Sequence, residues 1–310
     1  MKVGLIGQAK ITNLTSKIAD YGRLVRFSHT VFALPFALAS VALAWPKHPA
    51  SFRALAWILV AMVGARTAAM GFNRLADRKF DALNPRTENW ELPRGKVKTS
   101  EAIALTALAA AVFIFAAYEL NWLCFALSPA ALAIVFFYSL TKRFTWSSHF
   151  FLGLALSLAP MGAWLSLSDV PADWRELIVP LSLGLAVLFW LAGFDVIYAL
   201  QDLEFDRKHG LFSIPARFGV RAALRLSGSF HLLTVFFLAG VGLSARLGII
   251  YWIGLSVISA ILFWEHRIVR PDDLSRVNRA FFDFNAYVSI GYFFTTLADI
   301  AISSGAGFAG

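Results

Sequence analysis

Two stretches of this chain set carboxylates at spacings that a helix would bring to one face. The first reads Asn73-Arg-Leu-Ala-Asp77-Arg-Lys-Phe-Asp81. Steps of four residues place each polar side chain about 40° on from the last. The second reads Asp195-Val-Ile-Tyr198-Ala-Leu-Gln-Asp202-Leu-Glu-Phe-Asp206. Steps of seven and four again align its three aspartates on a continuous helix, with Tyr198 one turn from Asp195. Hard oxygen donors of this kind suit Mg²⁺, which keeps several waters and is shared between a few carboxylates and substrate phosphates. No His or Cys spacing supports zinc, and no Gly-rich phosphate loop of the Walker type is present.

Either motif alone could be a solvated helix end with intrahelical ion pairs. The pair is harder to dismiss. Acids at a helix C-terminus oppose the macrodipole, so both ends are electrostatically poor without a cation. Asp195 falls inside an apolar run, where an ionisable group is costly and usually functional. Bases in the neighbouring segments (Arg78, Lys79, Arg86, Arg94, Lys142, Arg143 and Arg207) could neutralise phosphate charge. Of these, Arg78, Lys142 and Arg143 are the expected ligands, and most of the others serve topology.

The elements that must position these residues are membrane helices. The 310 residues are 58% hydrophobic and 15% charged, too little polar surface for a soluble protein of this length. Runs of about 20 apolar residues give nine spans, at 24–45, 54–72, 102–118, 121–140, 149–167, 177–200, 222–243, 247–264 and 282–303. With a cytoplasmic N-terminus, all but five of the 28 Lys and Arg face the cytoplasm. The exceptions are Lys47, Arg53, Arg175 and Arg246 on the far side and Arg66 within a span. That asymmetry fixes the expected orientation. The fold expected is therefore all-α, one integral membrane domain over 1–310, with nine transmembrane helices in one bundle. Loops 73–100 and 201–221, which carry the two motifs, both fall on the cytoplasmic face, and their related openings hint at an internal repeat.

The net charge of +9 does not point to nucleic acid. Its bases lie in short segments between apolar runs, which suits a polybasic face against anionic cytoplasmic lipid. Cys124 is alone, which excludes a disulfide framework and a cysteine metal site. Residues 1–23 are polar and no cleavage site follows the first apolar run, so no cleaved signal peptide is expected.

In its paired motifs the sequence resembles the UbiA family of membrane prenyltransferases, which attach polyprenyl chains to aromatic acids in quinone synthesis. The family's first signature matches Asn73, Asp77 and Asp81, and its second matches Asp195, Tyr198, Asp202 and Asp206. Arg86-Thr87 and Leu92-Pro93-Arg94-Gly95 look like the rest of the first loop, and Tyr138 to Thr145 like the basic loop after the fourth span. Trp90 stands where family members often carry Arg. The resemblance implies Mg²⁺ held by Asn73, Asp77, Asp81, Asp202 and Asp206, with Arg78, Lys142 and Arg143 on the diphosphate. It implies catalytic roles for Asp195 and Tyr198, and a polyprenyl diphosphate donor. The acceptor would be an aromatic acid such as 4-hydroxybenzoate, or a dihydroxynaphthoate in menaquinone synthesis. Arg26 and Arg66, with Arg143, are the candidates for the acceptor carboxylate, whereas His29 and His231 read as structural residues. The expected location is the inner membrane, multi-pass, with the site on the cytoplasmic side and no nucleic acid partner.

Three other readings fit less well. CDP-alcohol phosphotransferases concentrate their acids in one Asp-Gly-Ala-Arg-type motif, absent here. A soluble prenyl synthase could not tolerate nine apolar spans. A divalent-cation transporter would place its acids near the bilayer midplane, whereas most of these sit at one interface.

Overall fold

The computed structural model describes residues 17, 19–25, 32–168 and 173–306. Among the described residues, nine helices of more than two turns carry the architecture: α1 Leu34–Ala44, α2 Phe52–Leu83, α3 Thr99–Leu120, α4 Trp122–Thr141, α5 Ser148–Leu165, α6 Ile178–Ala199, α7 Ile214–Ser244, α8 Ile249–Ile268 and α9 Asn285–Ala306. No strand occurs among the described residues, only an isolated bridge between Arg270 and Asp273. Among the described residues, eight helices, α2 to α9, are long and apolar enough to cross a membrane, and α1 is a shorter apolar helix. The expected first span at 24–45 thus corresponds to α1 and a few residues before it, with 26–31 outside the described residues.

Local chemistry sets most boundaries. Ser51 and Ser213 cap α2 and α7 by accepting the amides of Ala54 and Ala216, at 3.1 and 3.2 Å. Asn121 ends α3 in extended backbone and caps α4 through the amide of Cys124 at 2.8 Å. Asp299, on α9, takes the amides of Gly248 and Tyr251 at the start of α8, giving that helix an anionic cap from a neighbour. Helix α2 stops at Leu83 because Asn84 precedes Pro85 and is held extended (φ −89°, ψ 120°).

Consecutive helices α2 to α9 pack as neighbours, while α1 lies against α5 and α9. Helix α6 is central: Leu183, Val187, Trp190, Val196 and Ile197 are fully buried. Close approach depends on small residues. A Cβ on Gly153 of α5 would sit 2.5 Å from the carbonyl oxygen of Leu188 on α6.

At the acidic motifs the structure differs from the sequence expectation in two ways. Helix α2 runs on for three turns past the expected end at 72, so Asn73, Asp77 and Asp81 ride on one unbroken helix. By contrast, α6 does not continue through the second motif. It ends at Ala199, gives way to a 3₁₀ turn at Leu200–Asp202, and restarts as a short helix at Leu203–Lys208. Asp202 and Asp206 are therefore not at the C-terminus of a long helix. Asp206 falls in the first turn of the short one, where a carboxylate is favourable.

Candidate active site

The last three turns of α2 present Asn73, Asp77 and Asp81 in a row. The Asn73 amide donates to Asp77 at 3.0 Å, and Arg143, from the turn after α4, reaches the other Asp77 oxygen at 3.3 Å. Arg74 is buried beside them. Its guanidinium lies 3.6 Å from the Trp90 ring centroid, donates to the Leu24 carbonyl at 3.3 Å and stands 3.7 Å from Asp81. Asp81 Oδ2 is buried without a hydrogen-bond partner.

The break after α6 turns Asp202 toward the loop that follows α2. There Arg86 grips it with both nitrogens, Nε to Oδ1 at 2.9 Å and Nη2 to Oδ2 at 2.5 Å, and Asn84 adds a third bond at 3.0 Å. The remaining Arg86 nitrogen donates to the Tyr198 hydroxyl at 2.9 Å. One turn on, Asp206 accepts from Ser213 at 2.9 Å and faces Lys142 Nζ at 3.8 Å. Deeper on α6, Asp195 Oδ2 lies 2.6 Å from Nδ1 of the fully buried His149. The other ring nitrogen of His149 accepts the Ile214 amide at 3.2 Å.

The acids and bases of both motifs line one cavity of about 270 Å³, with His149 and Ser213 buried behind its wall. Its wall includes Asn73, Asp77 and Asp81 from α2, and Asp195, Tyr198, Asp202 and Asp206 from α6 and its continuation. Arg66, Arg74, Arg86, Lys142 and Arg143 supply positive charge, and Phe32, Met70, Leu152, Leu156, Leu191, Phe194 and Phe281 an apolar lining. Four acids each face a base: Asp77 with Arg143, Asp81 with Arg74, Asp202 with Arg86, Asp206 with Lys142. No group of three acidic, His or Cys side chains among the described residues closes into a protein-only metal cage. Desolvation works against the charge of Lys142, yet Asp206, Asp202 and Asp195 outweigh it and hold the ammonium above its ordinary range. Arg86 is likewise desolvated, and its bonds to Asp202 more than compensate.

Of the residues singled out from sequence, Arg78 departs from expectation. It is exposed on α2 and does not line the cavity. Arg78 and Arg74 both flank the acidic face, one step beyond Asp77 and Asn73, but Arg74 is packed under Trp90 and Leu24 while Arg78 is left at the surface. Arg26 and His29 lie outside the described residues. His231 is buried in a network with His266 at 2.9 Å and the Trp190 carbonyl at 3.3 Å, away from the cavity. Sequence reasoning missed Arg74, Asn84, Ser213 and His149. The signal for Arg74 was its heptad relation to Asp81, and for His149 its place at the head of an apolar run.

The chain matches the UbiA prenyltransferase family over residues 33–289. A 4-hydroxybenzoate octaprenyltransferase of Aeromonas hydrophila is 34% identical over 235 residues, covering 74% of this chain and 79% of that one. The enzyme of the same name from Vibrio atlanticus is 29% identical over 91% of this chain and 99% of its own length. Among solved structures, the apo form of a UbiA homologue from Aeropyrum pernix K1 superposes with a TM-score of 0.79 at 33% identity, covering 89% of this chain and 98% of that one. A UbiA homologue from Archaeoglobus fulgidus, bound to DMAPP and Mg²⁺, shares the fold with a TM-score of 0.64 at 23% identity, over 90% of this chain and 99% of that one.

Proposed function

The chain belongs to the UbiA prenyltransferase family, and from that premise we propose that it transfers a polyprenyl group from polyprenyl diphosphate to an aromatic acid of the 4-hydroxybenzoate type. The reading takes the protein as nine-span in the inner membrane, N-terminus and site on the cytoplasmic side, an orientation that the Lys and Arg distribution supports. The observation that carries it is the single cavity into which both acidic motifs and a set of bases converge beside an apolar wall.

The donor set suits Mg²⁺ shared with phosphate oxygens and water. All its side chains are oxygen ligands, and Asp81 keeps a buried oxygen without a hydrogen-bond partner. Asn73, Asp77, Asp81, Asp202 and Asp206 would hold the metal. Bound there, it supplies Lewis-acid neutralisation of the leaving diphosphate.

The chain's own residues do the rest. Lys142, Arg143 and Arg86, which face carboxylates here, are the bases within reach of a diphosphate in the cavity, and each can exchange its acid for a phosphate oxygen. The allylic C–O bond breaks with its electron pair going to the diphosphate. The ring carbon ortho to the acceptor hydroxyl then forms the new C–C bond and sheds its proton. Asp195 Oδ1 is the acceptor for that proton, because Oδ2 is occupied by His149. Tyr198, its hydroxyl held by Arg86, can place an electron-rich ring beside the allylic carbon. Leu152, Leu156, Leu191 and Phe194 keep water from the reacting centre and bed the polyprenyl tail. Arg66, on the same wall, is positioned to pair with the acceptor carboxylate.

The test is reconstitution of the protein in vesicles with polyprenyl diphosphate, Mg²⁺ and a panel of aromatic acids that includes 4-hydroxybenzoate and a dihydroxynaphthoate. Diphosphate release together with a prenylated acid is the expected result. Failure of every acceptor to give prenylated product would end the proposal.

A further inference from the structure

Residues of α7 and of the end of α8 line an open groove that shares no residue with the cavity just described. On α7, Arg221, Arg225 and Gly228 follow one another at steps of four and three, hence on one face. On α8 and the turn after it stand His266, Arg267 and Arg270. Together they line an open groove of about 470 Å³. The four arginines are exposed, and none has a carboxylate within ion-pair distance among the described residues.

This pattern contrasts with the cavity, where Arg74, Arg86, Lys142 and Arg143 each face an acid. Topology alone asks for positive charge near helix ends. It does not ask two helices to aim four guanidinium groups into one cleft free of ion-paired carboxylates. Asp273, in the turn after α8, pairs with Arg270 only through the backbone, and neither it nor Asp272 lines the groove. Gly228 keeps the floor open, because a Cβ there would meet nothing nearer than His266 at 4.0 Å. One turn back along α8, Phe263 and Trp264 are 61% and 59% exposed, an apolar surface that on a membrane-crossing helix faces lipid. Arg267 already lies over the Phe263 ring, 5.5 Å from its centroid.

We propose that this groove binds the phosphate headgroup of an anionic phospholipid, with the acyl chains lying along Phe263 and Trp264. Guanidinium forks match phosphate oxygens in a bidentate way. A basic pocket between membrane helices on the cytoplasmic side is where acidic headgroups bind. The aromatic flank commits the site to a lipid, since free phosphate would gain nothing from it. The inference rests on α7 and α8 crossing the membrane and is independent of the transfer reaction.

The full chain, equilibrated with vesicles of equimolar phosphatidylcholine and phosphatidylglycerol and then extracted, is examined by native mass spectrometry for retained lipid. Three proteins are compared: the natural chain, a groove variant and a charge-matched control. The groove variant carries Arg221→Gln, Arg225→Gln, Arg267→Gln and Arg270→Gln. The control carries Lys79→Gln, Lys96→Gln, Lys208→Gln and Arg276→Gln, all at exposed positions. The natural chain and the control should retain phosphatidylglycerol over phosphatidylcholine, and the groove variant should lose that preference by roughly tenfold. Unchanged preference in the groove variant overturns the proposal, as does an equal loss in the control. Inorganic phosphate added to the detergent-purified protein is the other arm, and binding as tight as that of the lipid overturns the lipid assignment. Thermal unfolding checks that each variant is folded, and the pair Arg225→Gln and Arg267→Gln is read the same way if the fourfold variant is not.

Discussion

Arg86 holds Asp202 by two parallel hydrogen bonds across 116 residues of sequence, at 2.9 and 2.5 Å. That clamp ties the loop after α2 to the break after α6, and so joins the two acidic motifs. Arg86→Lys keeps the charge but loses the fork, and it leaves the buried Asp202 carboxylate with fewer donors. Diphosphate release should fall about 100-fold, and stability by about 1–3 kcal/mol, read by kinetics and thermal unfolding. Wild-type turnover in Arg86→Lys would show that the fork is dispensable.

His149 positions Asp195 rather than touching substrate. Because the Ile214 amide donates to Nε2, the ring proton sits on Nδ1 and points at Asp195. His149→Phe removes that donor and should lower kcat about 100-fold with little change in KM for the polyprenyl diphosphate. His149→Asn sets an amide N–H near the former Nδ1 and should recover part of the loss. If Asn and Phe behave alike in kcat, the donated proton is not what His149 contributes.

The four acid–base pairs of the cavity predict a cooperative response to ligands. Mg²⁺ alone would strip the bases of their acids, and diphosphate alone would strip the acids of their bases. Each should therefore stabilise little, and both together should raise the thermal midpoint, the stability gain being about 2.7 kcal/mol at a hundredfold excess over Kd. EDTA should abolish both the shift and turnover, and added Mg²⁺ should restore them.

Lys142 supplies a pH prediction. Its ammonium is held above the ordinary value of 10.5 despite desolvation, chiefly by Asp206 and Asp202. A raised pKa stabilises the fold fully below 10.5, and that share fades only as pH climbs through the higher native value. The stability difference between the natural chain and Lys142→Gln should thus stay constant from about pH 6 to 9. A step in that difference near neutrality would place a different group in control.

Hydropathy made the helices legible, and spacing made the first motif legible, because Asn73, Asp77 and Asp81 do lie on one continuous helix. The second motif was legible as residues but not as geometry. Nothing in the stretch Tyr198 to Asp206 breaks a helix by propensity, and the turn at Leu200–Asp202 places Asp202 where Arg86 and Asn84 bind it. Such long-range contacts leave no local trace. Arg78 and Arg74 show the same limit, since both flank the acidic face and only packing decides which is buried. The turn Leu211 to Ile214 went unread for a like reason: its polar partners Asp206, Lys142 and His149 come from three separate segments.

The contact between α5 and α6 gives a test of how tightly the site depends on helix packing. Gly153 lies one turn after His149 on α5, and a Cβ there would press on the Leu188 carbonyl, which is backbone and cannot rotate aside. Gly153→Ala must part the helices by a few tenths of an ångström or more, and overpacking of this kind costs about 1–3 kcal/mol. The same displacement carries His149 away from Asp195, whose 2.6 Å bond is short and intolerant of separation. Thermal stability and kcat should therefore fall together, while affinity for Mg²⁺ with inorganic diphosphate, whose proposed ligands lie on α2, the α4 turn and the end of α6, should change little. Loss of stability with full kcat would mean that the Asp195–His149 bond survives the shift.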